Sequence, residues 1–111
     1  MQLSKKQILR IKQTIQLDGT KSIVRIDVSH KDEGWSDEES NFNIYHIDVE
    51  YNILWQIKET KTKPVSLFGE ADPFYYLGKD ANDKIIADRF SGFTYEIDPE
   101  TGEATRTGFH K

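Results

Sequence analysis

The sequence predicts an α+β, mainly β protein, with an N-terminal helix and an antiparallel, hairpin-built sheet curled into a sandwich or half-barrel. Three observations carry this expectation. Apolar residues recur at every second position in several short runs, clusters of turn-forming residues separate those runs, and one helix-start signature precedes them all. At 111 residues the chain has the length of one domain, expected to span residues 1–111.

The helix comes first. Ser4 and Gln7 have the spacing of a capping box, and Leu3 and Ile8 that of a hydrophobic staple. Ile8, Ile11 and Ile15 follow at helical spacing, so a helix is expected from Ser4 to about Gln16. A period-two pattern competes, because Leu9, Ile11, Ile15 and Leu17 also alternate, with Gln13 as the fault. Residues 11–17 are therefore open between helix and strand. Asp18-Gly19 is a hairpin turn signal, and residues 23–28 alternate as a strand beyond it.

Residues 29–41 contain almost no aliphatic side chain and read as an exposed loop. The clearest strand signal follows: Tyr45, Ile47, Val49, Tyr51, Ile53, Trp55 and Ile57 occupy every second position. His46, Asp48, Glu50, Asn52 and Gln56 lie between them, and Leu54 breaks the polar face. Either one long strand bends or two strands meet at residues 50–52, with the alternating apolar set on one buried face. Residues 58–63 read as a charged connection, 65–68 as a short strand and 69–73 as a turn. Residues 74–77 and 84–90 read as the arms of a hairpin. Residues 93–97 alternate again and run into Asp98-Pro99-Glu100-Thr101-Gly102, whose Asp, Pro and Gly suit a tight turn. Residues 104–109 would return as the last of seven or eight short strands.

Composition removes several classes of function. Without cysteine there is neither a disulfide framework nor a thiolate metal site. No window approaches the roughly 20 apolar residues of a membrane-spanning helix. Lys5, Lys6, Arg10 and Lys12 interrupt any signal-peptide core, so a cytoplasmic location is expected. The net charge of −4 is uneven: residues 1–31 carry +5, residues 32–50 carry −7 with no Lys or Arg, and residues 51–111 carry −2. An acidic block of that density argues against nucleic acid as the main partner, and no membrane partner is expected.

No catalytic residue, metal site or cofactor is expected, and the chain does not read as an enzyme. His30, His46 and His110 have no metal-ligand spacing and are expected on the surface. Asp80-Ala81-Asn82-Asp83 resembles a calcium loop only locally, since the twelfth position is Ser91 rather than glutamate. Asp48 and Glu50, expected on one strand face, read as solvated rather than as an acid–base pair.

Asp32, Glu33, Asp37, Glu38 and Glu39 surround Trp35 in a segment with no other large apolar residue. In the plainer reading this loop is solvated and its tryptophan folds back onto the sheet. In the functional one, dense negative charge steers a basic protein partner and Trp35 anchors it, with Asp48 and Glu50 extending the field. A second candidate is the aromatic group Phe68, Phe74, Tyr75, Tyr76, Phe90, Phe93 and Tyr95. A small-ligand or glycan-binding β-barrel would use Phe74, Tyr76, Phe90 and Tyr95 to line a cavity, although alternating aromatics are more often core.

The acidic run with Trp35, set on a patterned β scaffold without cysteine, resembles in type the small cytosolic immunity proteins of bacterial contact-dependent inhibition and related polymorphic toxin systems. That resemblance implies a protein inhibitor that covers the basic active site of a cognate nuclease toxin.

Overall fold

The computed structural model describes residues 1–30, 33–59 and 72–109. The helix start is where the sequence places it. Helix α1 covers Lys5–Leu9; the Gln7 amide donates to Ser4 Oγ (3.1 Å), and the Ser4 amide donates to Gln7 Oε1 (2.8 Å). The helix does not reach Gln16. Ile11–Gln16 forms strand β1, which pairs antiparallel with β2 (Lys21–Ile26). One turn of isolated helix is marginal in water, whereas the hairpin gives residues 11–16 a full hydrogen-bonded ladder. Asp18 fixes the turn, its Oδ1 accepting from the amides of Thr20 and Lys21.

Gln13, the fault in the alternation, faces inward and is used there. Its Oε1 accepts from Arg25 Nε (2.6 Å) on β2 and from the Leu77 amide (2.8 Å) across the sandwich. A polar side chain tolerates that burial because both contacts are hydrogen bonds.

The segment expected to be a loop contains a second helix, α2 (Asp37–Asn41), capped by the same S-x-x-E/Q chemistry as α1. The next signal resolves into two strands, β3 (Ile44–Asp48) and β4 (Ile53–Gln56), which meet at residues 50–52 with Tyr51 at φ 64°. These four strands form one sheet in the order β1-β2-β3-β4. At Ile57 the chain changes sheets. The Ile57 amide still donates to Ile44 O (2.9 Å), while the Lys58 amide donates to Gly102 O (3.0 Å). The second sheet contains β5 (Lys58–Glu59), β6 (Phe74–Lys79), β7 (Ile85–Arg89), β8 (Phe93–Ile97) and β9 (Glu103–Phe109), in the order β5-β9-β8-β7-β6. Pairing is antiparallel except between β5 and β9, which are parallel. The expected strand at 65–68 and most of the turn at 69–73 lie outside the described residues.

Two cores explain the burial pattern. Between the sheets, Ile23, Ile44 and Ile57 pack against Phe74, Leu77, Tyr95 and Ile97. On the other face of the first sheet, Val24, Ile26, Tyr45 and Ile47 are covered by Leu3, Ile8 and Trp35. The first sheet is thus a middle layer, and residues 44–47 are buried on both faces rather than on one. His46 is accordingly only 8% exposed, not on the surface. The alternation also breaks within β4. The register passes from His46↔Trp55 to Ile47↔Ile53, so Leu54 bulges; Ile53 joins the outer core and Trp55 the inner one.

The sheets are closed at one side by side-chain amides. Fully buried Asn43 donates through Nδ2 to Ile26 O and Phe74 O, both at 2.8 Å, and accepts from the Phe74 amide through Oδ1. With Gln13, it satisfies backbone groups of β6 that have no strand beside them.

Candidate partner-binding surface

The acidic block separates into residues used by the fold and residues left to solvent. Asp32 lies outside the described residues. Glu33 belongs to the fold: its Oε1 accepts from Arg10 Nε at 2.8 Å, and its carbonyl accepts from Lys6 Nζ at 2.9 Å. Glu39 closes the α2 capping box, accepting from the Ser36 amide at 3.0 Å while its own amide donates to Ser36 Oγ at 3.1 Å. Asp48 holds the β3–β4 turn, accepting from the Glu50 amide, the Asn52 amide and Asn52 Nδ2 at 2.9 to 3.0 Å. Those hydrogen bonds, the Asn52 side chain's first, hold its carboxyl below the usual carboxylate range.

Trp35 folds back. It packs on the outer core with Lys6 Nζ 4.4 Å above its ring, and its buried indole Nε1 has no hydrogen-bond partner among the described residues. It therefore acts first as a cover for Tyr45 and Ile47 on the outer face of the sheet.

Asp37 and Glu38 are different. Both are exposed in the first turn of α2, where no basic residue accompanies them, and neither carboxylate has a partner among the described residues. Negative charge at that end also suits the helix dipole. Burial pushes the nearby Tyr45 hydroxyl up to about 12, with the charges of Glu39 and Glu38 acting in the same direction. Asp37 and Glu38 border a groove of about 550 Å³ between α2 and the β4–β5 junction, lined also by Asn41, Phe42, Gln56, Ile57, Lys58 and Glu59. Glu50 is exposed too, but it and Asp48 lie at the far end of β3 from α2. At about 3.3 Å per residue, β3 separates the two groups by roughly 13 Å. Glu50 stands in the turn and not beside Asp48 on a strand face.

Below the groove lies a buried ionic centre. Arg89, 2% exposed, stacks over Phe74 at 4.2 Å; its Nη1 donates to Asn41 O and Asp72 O, and its Nη2 to Glu59 Oε1 at 3.2 Å. The other carboxylate oxygen of Glu59 accepts from Arg106 Nη2 at 3.2 Å, and Arg106 also donates to Tyr95 OH at 2.9 Å. Arg89 shares strand parity with Ile85 and Ala87, a signal that pointed it inward. Its partner Glu59 carried no such signal, lying in what read as a charged connection.

Over residues 7–109 the sequence matches the family described as Domain of unknown function (DUF7957). The chain belongs to this family. No curated protein and no solved structure matches the DUF7957 chain.

The aromatic residues do not converge on a cavity. Phe74 and Tyr95 are in closed core, edge to face with centroids 5.5 Å apart, whereas Phe90 is 77% exposed and Tyr76 also faces solvent. Phe68 lies outside the described residues. Among the described residues, no three His, Asp or Glu side chains are arranged to hold a metal ion, and no helix is long and apolar enough to cross a membrane.

Proposed function

We propose that this DUF7957 chain is a binding protein of the immunity type, a cytoplasmic inhibitor that neutralises a cognate toxin by covering a basic, nuclease-like surface. The observation that carries this reading is the exposed first turn of α2. Asp37 and Glu38 stand there without a partner among the described residues, beside a groove lined also by Phe42 and Ile57. Paired carboxylates such as Glu33 have already spent their charge on the fold, so among the described residues of the acidic block the steering field comes chiefly from Asp37, Glu38 and, at a distance, Glu50. Unpaired surface charge of one sign accelerates encounter with the opposite sign and is sensitive to salt. In this reading the chain binds and does not turn over substrate.

The test is affinity capture from the native host, using the wild type and an Asp37→Asn/Glu38→Gln variant, followed by association kinetics with whatever protein is retained. The expected result is a basic partner whose association slows in the variant and loses most of its salt dependence. The partner's nuclease activity should fall when the wild-type chain is added. Equal association rates and salt slopes for the two chains would remove α2 from the interface, and a captured partner whose activity is unaffected would remove the inhibitor reading.

A further inference from the structure

We propose that His46 and Trp55 form an acid-sensitive latch between the two sheets, in which protonation of His46 expels its ring and frees Trp55 from the β8–β9 turn. His46 sits in β3, in register with Ile23 on one side and Trp55 on the other. It is 8% exposed, and neither Nδ1 nor Nε2 has a hydrogen-bond partner among the described residues. An imidazole in this setting favours its neutral form, because its nitrogens are closed off from solvent and face no acceptor among the described residues.

Trp55 gives the histidine its reach. The two ring centroids are 5.3 Å apart, tilted at 50°. The indole Nε1 donates to Pro99 O at 2.9 Å, and the ring lies against Gly102, where an added Cβ would meet it at 2.6 Å. Trp55 therefore ties β4 of the first sheet to the β8–β9 turn of the second. Among the described residues, the charged groups whose fields reach His46 are Lys21 of β2, which opposes protonation, and Asp18 of the β1–β2 turn, which favours it. Strand β4 brings no titratable group. The β8–β9 turn meets Trp55 through Pro99 and Gly102, while its Asp98 carboxylate accepts from the Glu100 amide.

The direction follows from linkage. Burial first, and Lys21 second, hold the folded His46 below its ordinary value. As pH falls through about 6.5 the unfolded or opened chain takes up the proton before the closed one does. The latch is thus fully stable above that pH and weakens below it, by up to tenfold in its closing equilibrium for each unit of depression. The folded midpoint marks where the loss levels off.

The experiment uses Trp35→Phe, which leaves Trp55 as the sole tryptophan, and follows its emission from about pH 8 to about pH 5, the range in which histidine is the one side chain that ordinarily titrates. The expected result is quenching and a red shift with a midpoint below 6.5, retained in His30→Gln and absent in His46→Gln. An identical response in the His46→Gln background would overturn the proposal. So would a wild-type His46 ring that titrates at or above about 6.5 by NMR, a measurement that stands even if His46→Gln does not fold.

Discussion

The first turn of α2 borders a groove that Glu59 of the buried Glu59–Arg89–Arg106 centre also lines, and both are built from ordinary charged residues. Asp37 and Glu38 keep their hydration and have no partner among the described residues. Glu59 and Arg89 have lost nearly all of theirs, at 1% and 2% side-chain exposure, and depend on each other, on backbone carbonyls and on the Phe74 ring. The difference teaches that charge composition assigns no role by itself. A solvated acid costs the fold almost nothing and remains available to a partner, while a desolvated one becomes structural because leaving it unpaired is so costly.

The sharpest way to break this comparison is at Arg89. Arg89→Met strips the buried carboxylate of Glu59 of one of its two guanidinium partners, and should cost about 3–5 kcal/mol by chemical denaturation. A loss no larger than that of an ordinary surface change would mean that the centre is solvated and the contrast is false.

An intermediate effect is expected where an acid of the block is used by the fold. Ser36→Ala removes the acceptor of the Glu39 amide and dissolves the α2 capping box. It should cost about 1 kcal/mol and fray α2, visible as faster amide exchange at Glu39 and Ser40. Unchanged exchange would show that packing, not capping, holds this short helix.

The smallest effect belongs to the solvated pair. Asp37→Asn and Glu38→Gln should each move stability by no more than about 0.5 kcal/mol, in either direction. If one of them destabilised the fold as much as the loss of the cap, these side chains would be structural and the surface proposed for a partner would shrink to Glu50.

The two capping boxes show how far local signals reach. Ser4-x-x-Gln7 marks a helix start, and Ser36-x-x-Glu39 has the same form within residues 29–41, which read as a loop because they contain almost no aliphatic side chain. Both helices are five residues long, so the cap rather than the period marks each start. His46 shows the opposite failure. It alternates with Tyr45 and Ile47, which marks it as outward in a sheet covered on one side. The first sheet is covered on both.

Alternation, turn chemistry and caps are local, and the sequence by itself determined what depends on them: a mainly β chain, most strand positions, the turns at 18–19 and 98–102, and the start of α1. Only the tertiary structure decided where α1 stops, that the first sheet has two cores, and which charges are spent. Those outcomes depend on partners distant along the chain. Gln13 reaches Leu77, Asn43 reaches Phe74, and Glu59 reaches Arg89 and Arg106. The sequence shows that residues 32–50 are acidic; it takes the folded chain to separate Asp37 and Glu38, left to solvent, from Glu33, Glu39 and Asp48, which hold the fold together.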